Sequence, residues 1–160
     1  MVSFPTGVVW RGERRNMREV KFHVPGKPQG KARAKTFYTN GVTRTVTPEK
    51  TVLYENFIKD RYLQEAGGFF LETGTPVELR IVARFLPPKS ASKIVKHQML
   101  SGKILPLKKP DVDNIVKVVA DSLNGIAYHD DKQIAFAAAK KAYSAVEGLD
   151  ITVGEYKGEG

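Results

Sequence analysis

Asp111 and Asp113, two residues apart just after Lys109-Pro110 and followed by Lys117, are the residues whose types and spacing could do chemistry. A second acidic pair, Asp130-Asp131, returns after a helix-length segment and a glycine at Gly125. Carboxylate oxygens suit a hard cation such as Mg²⁺, which is held through one or two carboxylates and keeps its other positions for water and substrate phosphate. In an extended segment Asp111 and Asp113 would point to one side; in a helix they would diverge. Once a helix has started, Asp113, Lys117 and Asp121 fall at intervals of four and share a face, which brings an amine towards the carboxylates. That amine could place fixed positive charge beside a phosphate. Asp130 and Asp131 are neighbours, so in strand geometry only one of them faces the site.

Each of these residues also has a purely structural use. An aspartate just before a helix is often an N-cap, because carboxylates favour a helix N-terminus. Lys117 reads as a surface residue, Asp121 with Lys117 as an intrahelical ion pair, and Asp130-Asp131 as a solvated turn. Their joint occurrence is what favours a site. An EF-hand is excluded, since the sixth loop position is Val116 rather than Gly and no Glu stands at the twelfth. His129 beside Asp130 reads as a borderline metal ligand or as a solvated turn histidine, and His23 and His97 belong to no constellation. No nucleophile elbow is present, and the glycines from Gly26 to Gly30 lack the Lys-Ser/Thr ending of a phosphate-binding loop.

Around this acidic centre the chain is strongly basic. Its 160 residues carry 26 Lys and Arg against 17 Asp and Glu, a net charge of +9, which points to nucleic acid first and an anionic membrane second. Lys27, Lys31, Arg33 and Lys35 form one basic segment; Lys89, Lys93, Lys96, Lys103, Lys108 and Lys109 form another, and no acid occurs from Arg80 to Lys109. Both could track phosphates, each neutralised phosphate steepening the salt dependence of binding. Phe37 and Tyr38 could meet a base, although aromatics in a hairpin more often pack across strands. With no cysteine, disulfides, zinc–thiolate sites and thiol catalysis are excluded and the reducing cytosol is the simplest compartment. No segment has the length and apolarity of a membrane span or a secretory leader.

The elements that must position these residues are legible as a single α+β domain. Residues 1–16 match no periodicity and read as a flexible basic arm carrying Arg11, Arg14 and Arg15; the domain is expected over 17–160. Met17 to Val24 alternates as a strand, residues 25–33 form an extended loop, and Lys35–Tyr38 with Val42–Val46 form a hairpin about Asn40-Gly41. Thr47 is expected to cap a helix with Pro48 in its first position, Val52, Leu53, Phe57, Ile58 and Tyr62 forming its apolar face and Gly67-Gly68 its end. Val77–Phe85 reads as a central strand. Residues 89–102 read as a short basic helix with Ile94, Val95, Met99 and Leu100 inward. A helix from Asp113 to about Leu123 closes at Asn124-Gly125, and strands over Ile134–Ser144 and Leu149–Tyr156 flank a turn at Glu147-Gly148.

Lys-Pro-Asp-Val-Asp-Asn-Ile-Val-Lys over 109–117, then Asp121, Leu123-Asn124-Gly125 and Asp130-Asp131-Lys132-Gln133, resembles the RusA family of Holliday junction resolvases. Pro25-Gly26-Lys27-Pro28 with Lys31 and Arg33, Thr47-Pro48, Lys89-Ser90 and Ser101-Gly102-Lys103-Ile104 resemble its longer phage and prophage members, so the likeness spans roughly residues 20 to 140. It implies a small α+β endodeoxyribonuclease, a mixed sheet with two main helices packed on it and a short basic helix inserted. It further implies a homodimer that cuts a four-way DNA junction by paired symmetric nicks, with Mg²⁺ or Mn²⁺ as cofactor. On this resemblance Asp111, Asp113 and Asp131 correspond to the metal-binding carboxylates, Lys117 to the catalytic lysine, and Asp130 to a secondary carboxylate. A branched-DNA-binding module that does not cut and a metal-dependent nucleotide phosphohydrolase are the alternatives.

Overall fold

The computed structural model describes residues 19–158, so the expected basic arm and the expected strand start at Met17 lie outside the described residues. The first strand, β1 (Glu19–Pro25), alternates inward Val20, Phe22 and Val24 with outward Glu19 and Lys21, the period-two pattern of a strand with one buried face. A loop then leads to a separate hairpin of β2 (Lys35–Thr39) and β3 (Val42–Val46). Its turn is Asn40-Gly41, with φ of 51° and 76°, the left-handed geometry that a tight hairpin turn demands.

Helix α1 (Glu49–Ala66) follows. Pro48, not Thr47, stands at its N-cap, and no side chain caps it. Its buried stripe is Thr51, Tyr54, Ile58, Tyr62 and Ala66, at steps of three and four. Ile58 and Tyr62 were expected inward and are. Val52, Leu53 and Phe57 were also expected inward and are exposed, because a helix can turn only one stripe to the core and the one containing Tyr62 packs its ring edge-on to Phe22 of β1 at 5.6 Å.

Strand β4 (Val77–Phe85) is the centre of the main sheet. It buries Val77, Leu79, Ile81, Ala83 and Phe85 on one face. The short helix α2 (Lys93–Leu100) is capped by Ser92, whose hydroxyl accepts from the Val95 amide at 3.3 Å. It has no buried residue; Ile94 and Leu100, expected inward, are exposed, since α2 lies beside the sheet's edge and has no second layer to face. Helix α3 (Val112–Ser122) is sharply two-faced, with Ile115, Val118 and Val119 in the core. It ends just before Asn124-Gly125, where Gly125 has φ of 77°, as the sequence implies.

Strands β5 (Ile134–Tyr143) and β6 (Gly148–Glu155) complete a four-stranded mixed sheet of order β1-β6-β4-β5. Although consecutive, β5 and β6 do not pair with each other; β4 lies between them, parallel to β5 and antiparallel to β6. Parallel strands need a long crossover, and the segment carrying α2 and α3 supplies it. Helices α1 and α3 pack together on one face of the sheet and share its core. The architecture is therefore the small α+β domain expected, with a mixed sheet, two main helices and an inserted basic helix. Among the described residues no helix is long and apolar enough to cross a membrane.

Candidate active site on helix α3

The approach to α3 is anchored on two sides. Lys141 of β5 donates from Nζ to the carbonyl of Lys108 and, at 3.1 Å, to that of Pro110. From the other side the loop after β1 sits directly on the helix start: a Cβ on Gly30 would lie 2.9 Å from Asn114 Cβ and 3.0 Å from Pro110 Cβ. Only glycine allows that approach. The Lys31 amide then donates to the Asn114 carbonyl at 2.9 Å. A cleft results, lined by Gly30, Arg33, Lys109, Asp111 and Asn114, and it continues past Thr47 to Lys117.

Asp111 holds the N-cap position of α3 in extended conformation (φ −72°, ψ 149°), yet its side chain caps nothing. Asp113 lies in the first turn and Lys117 one turn on; all three are exposed. Among the described residues none of the three is in an ion pair. Asp121 behaves differently. It was read as a partner for Lys117, but its Oδ2 lies 3.1 Å from Nζ of Lys31, which is also bonded to Glu55 of α1. Burial tends to lower the Lys31 pKa, but its hydrogen bonds to Glu55 and Asp121 outweigh it and leave the pKa raised. Lys31 therefore ties α1 to α3, its charge already balanced.

After α3 the chain turns at Gly125, whose amide donates to Tyr128 at 2.8 Å, and the Tyr128 hydroxyl donates to the Ala120 carbonyl at 2.7 Å. This returns Asp130 and Asp131 to the side of α3. Asp130 caps a single 3₁₀ turn, Asp131–Gln133: its carboxylate accepts from the Lys132 amide at 2.9 Å, and Gln133 reaches back to accept from the amides of His129 and Asp130 at 2.8 and 3.2 Å. The other end of the Gln133 amide donates to the carbonyls of Leu71, Glu72 and Thr75 at 3.3, 2.9 and 3.3 Å. One side chain thus fixes the acidic turn to the loop before β4.

The two carboxylates titrate apart. The Lys132 amide holds Asp130 below the usual carboxylate range. Asp131 is pushed up, first by burial, then by the neighbouring Asp130 and by Asp121, while Lys117 pulls it back. Asp131, Asp121 and Lys117 are therefore close enough to feel one another. Asp111 and Asp113 lie further along: from Asp111 to Asp121 the helix rises about 15 Å. Accordingly, among the described residues no three acidic or imidazole side chains gather into a ready metal-holding group. The acidic residues form a line along α3, with the cleft at one end and Asp131 beside the other. His129 is exposed, with Nε2 3.5 Å from Glu72.

The basic residues fall into two groups. Lys27, Arg33 and Lys35 are exposed on the loop and hairpin, and Lys89, Lys93, Lys103, Lys108 and Lys109 are exposed around α2 and the approach to α3. Lys96 is half-buried and donates to the Lys89 carbonyl at 3.4 Å. Two positioning residues, Lys141 and Glu55, escaped the sequence reading, and Gln133 was read as part of a motif but given no role. Only Gln133 left a signal, since Asp-x-x-Gln at 130–133 has the spacing of a capping box.

A family model described as endodeoxyribonuclease RusA matches residues 25–154, from the loop that covers α3 to the last strand. An uncharacterized protein of Bacillus subtilis (strain 168), YqaN, is 27% identical over 136 residues, covering 85% of this chain and 96% of its own length. The matched span contains the α3 acidic line, the cleft beside it and the Gln133-anchored turn, and the chain belongs to the RusA family of endodeoxyribonucleases.

Proposed function

We propose that the protein is a metal-dependent endodeoxyribonuclease that resolves branched DNA, with four-way junctions cut by paired nicks from a homodimer. The observation that carries the chemical part is Asp111: it holds a helix N-cap position without spending its carboxylate on the helix amides, and among the described residues neither it nor Asp113 and Lys117, further along the same helix, is in an ion pair. A capping aspartate normally spends its oxygens on the helix amides. The family match carries the substrate part.

The donor chemistry fits Mg²⁺ or Mn²⁺, because all the available ligands are carboxylate oxygens and such an ion needs only one or two of them. Asp111 and Asp113, together at the start of α3, would hold it, and Asp131, which stands beside Asp121 and Lys117 further along the helix, would be the further carboxylate of the site. When bound, the ion supplies Lewis acidity towards the phosphate and assists the attacking water. The chain's own residues do the rest. Lys117 sets a fixed positive charge where the phosphoryl oxygens gain charge. Gln133 keeps the turn bearing Asp131 in place, and Gly30 lets the covering loop approach closely enough to form a wall of the cleft. Arg33 and Lys109 line that cleft and favour a polyanion over a small phosphate ester.

Nicking of an end-labelled four-way junction, compared with a linear duplex of the same arms in Mg²⁺ and in EDTA, tests this with wild type and Asp113→Asn. Paired metal-dependent cuts near the crossover, lost in the variant, are expected. Junction binding by both proteins with no cut in Mg²⁺ or Mn²⁺ would leave a binding module instead.

A further inference from the structure

Among the described residues the hairpin of β2 and β3 forms a two-stranded sheet that no other strand joins. Every residue of both strands is exposed, including Phe37 at 53%, Tyr38 at 77%, Val42 at 53% and Val46 at 51%. The packing reading of its aromatics is thus not met within the described residues. A two-stranded hairpin with both faces in water is marginal, so a hairpin this rich in apolar side chains is expected to be covered when the protein works.

Its register sorts the two faces. Phe37 lies opposite Arg44, flanked by the pairs Lys35–Val46 and Thr39–Val42, whereas Thr36 and Thr45 lie opposite each other on the reverse face with hydroxyls 3.4 Å apart. One face therefore carries a phenyl ring with one cation directly across from it and another next to it along its own strand. No acidic residue occurs from Val20 to Pro48. The hairpin's feet, Ala34 and Thr47, border the same cleft as Asn114 and Lys117, and five residues of strand reach about 16 Å outward from it.

We propose, on the basis of the nuclease reading above, that this hairpin is a base-contacting element: Phe37 stacks on a base left unstacked at a DNA branch point while Lys35 and Arg44 hold the flanking phosphates. The charge decides for nucleic acid. A second copy of this chain in a two-fold contact would set one cationic patch against another, whereas a phosphate backbone neutralises both cations. Continuous duplex has no free base face to offer; a branch point has.

Fluorescence anisotropy of labelled junction and labelled duplex in EDTA, with sedimentation velocity on the same samples, tests this. Phe37→Ala is expected to weaken junction binding about 5- to 150-fold and duplex binding less than about 2-fold, with Phe37→Trp restoring the loss. Lys35→Ala and Arg44→Ala should weaken both substrates alike and each lower the salt slope by about one. Unchanged junction affinity in Phe37→Ala, an equal loss on duplex, or a loss that tracks a change in oligomeric state would overturn the proposal, the last naming a second copy as the occupant. If wild type itself shows no preference for the junction, the branched-DNA reading fails first and this proposal fails with it.

Discussion

Two carboxylates, Asp150 and Asp131, occupy opposite electrostatic situations. Asp150, near the start of β6, is only 5% exposed; one oxygen bonds His23 Nδ1 at 2.7 Å and the other takes the Arg84 guanidinium, so every charge there has a partner. Asp131, at the edge of α3, is half-buried beside Asp130 and Asp121, with Lys117 as its offsetting charge, and its pKa is raised. A carboxylate that serves the fold is matched with cations. One that is kept among like charges serves something other than stability, and perturbed titration of this kind clusters at functional sites.

The largest effects should separate these two positions completely. Asp131→Asn is expected to lower junction cleavage on the order of 10³-fold while the protein melts as a folded domain. Asp150→Asn should do the reverse, leaving cleavage near wild type at low temperature but costing about 3 kcal/mol in urea unfolding, because Arg84 and His23 lose their partner in a half-buried place. If both variants lost activity and stability together, the division between a structural and a reactive carboxylate would collapse.

Lys31 is the next test, since it sits where the matched and unmatched regions meet. Lys31→Met leaves Glu55 and Asp121 facing each other without a cation and should destabilise by about 2 kcal/mol. Its raised pKa fixes the pH dependence. The folded state binds this proton more tightly than the unfolded chain does, so the stabilisation is fully present below 10.5, the ordinary lysine value, and disappears as pH rises through the higher folded value. The gap between wild type and variant should therefore be constant across neutral pH and narrow only in strong alkali. A gap that narrowed at neutral pH would show that Lys31 is not held by these carboxylates.

The same contrast explains what could be seen in the sequence. Strand periodicity, the Asn40-Gly41 turn and the two-faced α3 were legible because each is a local pattern with a local cause. The face of α1 was not: Leu53, Phe57 and Ile58 are all apolar, and only the position of Phe22 and the sheet decides which stripe turns inward. Asp121 was misassigned to Lys117 because spacing within one helix says nothing about a loop lysine from 90 residues earlier in the chain. The acidic residues of the site were legible as a set, through residue type and order. Their arrangement as a line along α3 depends on where α3 stops and how Gln133 pins the returning turn.

Gln133 offers a finer probe. Gln133→Glu keeps the acceptor for the His129 and Asp130 amides but loses the donor to Leu71, Glu72 and Thr75. Gln133→Ala loses both ends. Stability should fall by about 1 kcal/mol in the first and more in the second, and kcat should fall further than junction affinity, because what is lost is the position of Asp131 rather than a contact to DNA. Equal losses in kcat and binding would place Gln133 in the DNA interface instead.

The smallest effect is the one that bears most directly on why Asp131 is unmatched. A raised carboxyl pKa means the folded protein holds that proton more tightly than the unfolded chain. The associated stability is present below 3.8, the ordinary aspartate value, and is lost as pH rises through the folded value, leaving an ionised group that the fold does not favour at neutral pH. Asparagine keeps a donor towards Asp130 and removes the charge. In EDTA, Asp131→Asn should thus be more stable than wild type at neutral pH, by under about 1 kcal/mol because solvent screens a partly exposed group, and the advantage should vanish as pH falls below the usual carboxylate range. Urea titrations at several pH values read both the sign and the closure. A destabilised variant, or a difference independent of pH, would mean that Asp131 is held as comfortably as Asp150 and that the crowding along α3 costs the fold nothing.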